Sequence, residues 1–209
     1  DMGVNMAGNC IIDDEAVCEA AKNEIIRRYY IALCGARKGL VNSDEIYKLE
    51  LMLKQAGVTT ADRKVVAAAL EREKETGAPA AAMELPDGTI ITGKTSNLLG
   101  ASSALLLNAL KYFGGIDDSA LLMSPQVIEP IQNLKVEHLG NNNPRLHTDE
   151  TLLALSICAN TGADAKRAME QISKLRGCEV HSTVILSSVD ERIFKRLGVN
   201  LTCEPKFEM

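Results

Sequence analysis

The chain contains no tryptophan, and aromatic residues make up only 3% of it. A core built almost without rings must be filled by Leu, Ile, Val, Ala and Met. Basic runs are also missing: the formal net charge is −5, and Lys and Arg are scattered. Nucleic-acid binding wants clustered cations with stacking rings, so the composition argues against that class. No apolar run approaches the roughly 18 residues that a membrane span needs, and no secretory signal is visible at the start. Six cysteines, at positions 10, 18, 34, 158, 178 and 203, form no C-x-x-C pair and no framework spacing. They read as free buried thiols in a reducing compartment, which makes the expected location cytoplasmic.

What is present is an ordinary globular composition, 46% apolar and 24% charged over 209 residues. A chain of this length holds one large or two small domains and buries roughly 70% of its unfolded surface.

The stretch Leu85–Gly115, LPDGTIITGKTSNLLGASSALLLNALKYFGG, organises the rest. Asp87-Gly88 is a hairpin dipeptide between apolar runs at 80–85 and 89–92. Leu98, Leu99, Ser102, Leu105, Leu106, Ala109 and Leu110 then recur at helical spacing, predicting a buried helix over 98–113 that Gly114-Gly115 stops. Within it, Gly88-Thr-Ile-Ile-Thr-Gly93-Lys94-Thr95 matches the phosphate-loop pattern G-x-x-x-x-G-K-[ST] letter for letter. Thr-Ile-Ile-Thr prefers strand, however, and the first glycine follows Pro86-Asp87 in a turn. The match is expected to be a decoy. At the strand end, Lys94, Thr95, Ser96 and Asn97 lie where helix amides and the positive end of the helix dipole suit an anion. Simple capping by Ser96 or Asn97 explains the same residues.

In chain order, residues 1–12 form an aperiodic lead-in. Helices follow from Asp13 to Gly35, from Asn42 (the capping box Asn42-x-x-Glu45) to Gly57, and from Thr59 to Gly77. A boundary near Gly77-Ala78-Pro79 divides a helical segment, 1–77, from an α/β domain, 78–209. In that domain Leu121-Leu122-Met123 has the form of a central strand. Ser124-Pro125 opens a helix that Pro130 bends or shortens. Thr148-Asp149-Glu150 opens a helix through Cys158, and another covers Asp164–Leu175. Glu179–Leu186 and Val199–Cys203 read as strands around a short helix at Asp190–Leu197. Strands alternating with helices after a hairpin imply a mixed sheet covered on both faces, a three-layer α/β/α arrangement.

Two polar constellations stand out. His147, Asp149 and Glu150 with Cys178 and His181 invite a zinc reading, but Cys178 and His181 have an odd offset along a strand and point to opposite faces. No metal is expected, and His181 reads as a core histidine. The loop Gly140–Asp149 is richer. Asn142 and Asn143 donate and accept, Arg145 grips an oxyanion, and His147 moves protons near neutral pH. A turn with a helix cap at Thr148 accounts for this composition equally well. If a site exists it lies where the start of helix 98–113 meets this loop. Lys94, Thr95, Ser96, Asn97, Asn142, Asn143 and Arg145 would bind the ligand there, and His147 would serve catalysis. A phosphate or nucleotide is the group such a site suits, and no other cofactor is expected.

The segments MGVNMAGNCIIDDEAV, EIIRRYYIALCGARKGL, LPDGTIITGKTSNLLGASSALLLNALK, SPQVIEPIQNLKVEHLGNNNPRLHTDETL and LRGCEVHSTVILSSVDERIFKRLGVNLTCEP resemble the bacterial domain-of-unknown-function family 1846. The resemblance implies the carboxyl-terminal half of a longer protein and an α/β domain of cytidine-deaminase-like topology. Where deaminases carry zinc ligands, at two helix starts, this chain has Thr95-Ser96-Asn97 and Ser124-Pro125-Gln126, with no His or Cys. Some family members bear an ATP-dependent peptidase label, but no nucleophile elbow supports it here. The alternative to a small-molecule site is an assembly module. Such a module packs on the amino-terminal half of the same protein and on copies of itself as a homo-oligomer.

Overall fold

The computed structural model describes residues 14–208, so the expected lead-in at 1–12 lies outside the described residues. Two compact units divide between Arg63 and Lys64. In the first, α1 (Asp14–Arg37) packs on α2 (Ser43–Ala56), and a 3₁₀ turn follows at Thr60–Asp62. The side chain of Asn42 accepts from the Glu45 amide at 3.1 Å, and Gly57, at φ +65°, ends α2 in the left-handed conformation that glycine tolerates.

The division falls earlier than the expected boundary at Gly77. The third helix, α3 (Lys64–Thr76), belongs to the sheet-bearing unit, because Val65 and Ala69 close on Ala82 of the sheet. That sheet has the order β2-β1-β3-β4, with β1 at Ala80–Glu84, β2 at Ile90–Lys94, β3 at Glu179–Ser182 and β4 at Asn200–Cys203. The β1–β2 and β1–β3 pairs are antiparallel and β3–β4 is parallel, a mixed sheet as expected. Alternation along β1 separates its two faces. Ala82 meets α3, while Ala81 and Met83 enter the main core with Leu105, Leu106 and Leu110 of α4 (Ala101–Gly114).

The phosphate-loop look-alike is resolved as architecture. Gly88 makes the hairpin turn at φ +81°, and Ile90–Lys94 is a strand rather than an amide-lined loop. Gly93 faces α4 so closely that a Cβ there would lie 2.2 Å from the Leu105 nitrogen. Glycine is needed at this position for strand and helix backbones to approach.

Helix α4 begins at Ala101 rather than at 98. The Ser96 hydroxyl accepts from the amides of Leu98 and Leu99 at 3.2 and 3.1 Å, a local turn that competes with helix, and Gly100 becomes the cap. Leu121–Met123 is not a strand. Leu122 and Met123 are buried against the core from a loop, while Leu121 is exposed. Pro130 lies inside α5 (Pro125–Asn133), which passes into a π turn at Leu134–His138. The remaining elements are α6 (Thr148–Cys158), α7 (Ala163–Met169), a 3₁₀ turn at Ile172–Leu175, and α8 (Ser188–Leu197). Among the described residues, no helix is long and apolar enough to cross a membrane. Cys18, Cys34, Cys158, Cys178 and Cys203 are free, but only Cys178 and Cys203 are buried, so the expectation of uniformly buried thiols does not hold.

Candidate functional site

The two segments singled out in the sequence meet. Leu99 and Leu146 form a parallel bridge: the Leu146 amide donates to the Leu98 carbonyl at 3.0 Å, and the Leu146 carbonyl accepts from the Ser103 hydroxyl at 3.0 Å. This bridge draws the start of α4 against the end of the asparagine-rich loop. A cleft of about 140 Å³ opens between them, lined by Thr95, Gly100, Ala101, Ser102, Asn143, Arg145 and His147, with Ser187 from the cap of α8 and Asp190 from its first turn. A wider neighbouring cleft of about 560 Å³ is lined by Thr95, Ser96, Asn97, Arg145, Lys206 and Glu208. The Arg145–Glu208 ion pair, at 2.5 Å, borders both.

Of the expected residues, Thr95, Asn143, Arg145 and His147 therefore converge, and Ser96 and Asn97 stand in the adjoining cleft. Lys94 and Asn142 line neither. Lys94 is paired with Ala80, one residue past Gly93, so strand alternation turns it away from α4. Asn142 is exposed in the loop; the neighbouring Asn143 side chain accepts from the Arg145 amide at 3.1 Å.

His147 is the best-defined group. Its Nδ1 lies 3.0 Å from Asp190 Oδ2; a carboxylate only accepts, so Nδ1 donates and Nε2 is left as the acceptor of the neutral ring. The hydrogen bond that His147 donates to Asp190 raises the histidine pKa above its ordinary value, against the opposing effect of burial. Asp190 is 4% exposed. Burial pushes its carboxyl up, but bonds from His147, the Thr148 amide (2.8 Å) and Ser187 (2.7 Å) outweigh this and hold it below the usual carboxylate range. Asp190 thus orients the imidazole and satisfies the first amide of α6 at once.

A second support lies beneath the loop. Lys135, 2% exposed in the π turn, donates to the Arg145 carbonyl and to Glu150, both at 2.6 Å. Glu150 in turn accepts from the His147 amide at 2.8 Å. One buried ammonium fixes the backbone on both sides of Leu146, and with it the positions of Arg145 and His147.

The helix start is open. Gly100 provides no side-chain cap to α4, and the amides of Ala101 and Ser102, as first-turn donors, have no intrahelical acceptor. The hydroxyls of Ser102 (3% exposed) and Thr95 (8% exposed) make no hydrogen bond among the described residues, although both residues line the cleft. Sequence reading missed Asp190, Ser187, Ser102 and Lys135. Ser187-x-x-Asp190 had the form of an ordinary helix cap, and nothing local linked it to a loop some forty residues earlier.

The zinc constellation does not assemble. Among the described residues no three His, Cys, Asp or Glu side chains converge as metal ligands. Burial pushes the Cys178 thiol up to about 11, and His181 bonds Thr202 at 2.9 Å and Glu204 at 3.1 Å.

Comparison with known proteins places the chain. Residues 61–209 match the family described as Domain of unknown function DUF1846, C-terminal, and residues 1–57 match its N-terminal counterpart. The second match overturns the purely carboxyl-terminal assignment. A UPF0371 protein of Corynebacterium urealyticum is 57% identical over 207 residues, covering 99% of this chain and 42% of that protein. A UPF0371 protein of Streptococcus thermophilus is 49% identical over 208 residues, with coverage of 100% and 42%. The chain spans about two fifths of the length of these curated relatives. It belongs to the DUF1846 family.

Proposed function

We propose that the cleft between α4 and the loop before α6 binds a small anionic molecule, with His147 as its proton-transfer group. The observation that carries this reading is the convergence on one small cleft of an uncapped helix start, Arg145, and a histidine oriented by Asp190 through Nδ1. A helix amino terminus and a guanidinium both favour negative charge. An imidazole with one nitrogen held by a carboxylate offers the other to a substrate proton. In a deaminase-like layout the start of this helix would carry a zinc ligand; here hydroxyls and amides take that position, which favours a metal-free anion site. A cytoplasmic setting, suggested by the free thiols, belongs to the same reading.

The test is binding of a panel of small anions to the intact chain by calorimetry. Arg145→Ala should weaken binding about tenfold or more, the scale of one charge-assisted hydrogen bond. Lys94→Ala should leave it unchanged. Equal losses from both variants, or a loss of folding stability that accounts for the effect of Arg145→Ala, would remove the proposal.

A second reading, association with copies of the chain or with other parts of a longer protein, draws on α6. Leu153 and Ile157, four residues apart on one helix face, are each 65% exposed. Sedimentation at low concentration tests it: association that Leu153→Glu abolishes supports it, and a monomer at all concentrations removes it.

A further inference from the structure

Resting on the anion-site reading, we infer that the group held in the cleft is a phosphate, such as the head of a phosphate monoester, rather than a carboxylate. The number of donors around the cleft distinguishes the two. Ala101, Ser102, Thr95 and Arg145 all line the same cleft, and they bring two first-turn amides without a side-chain cap, two hydroxyls and a guanidinium. A carboxylate presents about four lone-pair positions in one plane and would leave some of these donors unmet. A phosphate presents three strong acceptor oxygens that diverge out of any plane.

The two hydroxyls carry the inference beyond a bare helix terminus. Ser102 is 3% exposed and Thr95 8% exposed, and neither hydroxyl has a hydrogen-bond partner among the described residues. Neither oxygen is among the fully enclosed unpaired polar atoms, so each reaches the cleft from a nearly buried residue and offers its proton to an acceptor that enters. They approach from two elements, Ser102 from the first turn of α4 and Thr95 from the end of β2. Thr95 is itself fixed by its amide, which donates to the Pro79 carbonyl at 2.8 Å. Two acidic side chains line the cleft: Asp190 is held by His147, the Thr148 amide and Ser187, and Glu208 is paired with Arg145. An entering phosphate competes with the Glu208 carboxylate for the guanidinium.

The experiment is calorimetric titration of the intact chain with inorganic phosphate, and separately with acetate and malonate. Phosphate should bind with a Kd at or below about 1 mM and both carboxylates at least about tenfold more weakly. Ser102→Ala and Thr95→Val should each reduce phosphate affinity about tenfold, with thermal unfolding as the folding control. Glu208→Gln should raise phosphate affinity by freeing Arg145. If a carboxylate binds as well as phosphate, the anion site stands and the phosphate assignment falls. If neither class binds to the folded chain, both fall. Should Ser102→Ala fail to fold, Thr95→Val and Glu208→Gln decide: unchanged phosphate affinity in both overturns the inference.

Discussion

His147 and His181 each sit beside a carboxylate, yet they occupy opposite kinds of environment. His181 lies at 0% exposure in β3, with Nδ1 on Thr202 of β4 and Nε2 on Glu204. His147 is half-buried at the mouth of α6, with Nδ1 on Asp190 and its other nitrogen left over in a cleft that also holds Arg145 and two unpaired hydroxyls. A polar group whose valences are all met within the fold contributes to holding the fold. One whose valences are partly unmet, although its surroundings orient it, is prepared for something from outside.

The comparison can be broken by substitution. The largest expected effect lies at the look-alike phosphate loop. Gly93→Ala forces a Cβ against the α4 backbone and should cost about 3 kcal/mol or more in urea unfolding, because a helix cannot retreat as a side chain can. A neutral result would mean that the loop is free for another role. His181→Ala comes next, at about 2–4 kcal/mol, since it opens a cavity and leaves Thr202 and Glu204 without their partner. His147→Ala, at the half-exposed site, should cost less than about 1 kcal/mol. If the two histidine variants lose equal stability, the distinction between them fails.

The smallest effect is one of pH. The folded pKa of His147 is raised above its ordinary 6.5, so its contribution to stability is fully present below that value and is lost as pH rises through the folded value. Asp190 is lowered from 3.8, so its contribution is present above that value and disappears as pH falls through the lower folded one. The pair should therefore stabilise the chain most between about pH 4 and 6.5. Asp190→Asn should flatten the change on the alkaline side. Denaturant midpoints across this range check it, and an unchanged profile in Asp190→Asn would assign the pH dependence to other groups.

Much of this was legible in residue order. The Asp87-Gly88 turn, the strand preference of Thr-Ile-Ile-Thr and the small-residue helix all reflect local preferences that tertiary packing did not oppose. The meeting of the helix start with the asparagine-rich loop could be anticipated because each end is a polar interruption in an apolar layout. Errors arose where distant partners decided the outcome. Leu121–Met123 had strand composition, but no neighbouring strand was available to pair with it. Lys94 sat one residue beyond the strand position that faces α4 and so turned away. Helix α3 read like its two predecessors, and only the sheet's small alanines revealed where its apolar face would go. Asp190 and Lys135, which orient the site, are linked to it by folding alone.

The most direct measurement is imidazole NMR of the intact chain during titration with inorganic phosphate. The His147 ring resonances should move in a saturable way and its pKa should rise further as phosphate binds, while the resonances of His181 stay fixed. Resonances of His147 that do not respond at saturating phosphate, or that move no more than those of His181, would contradict it.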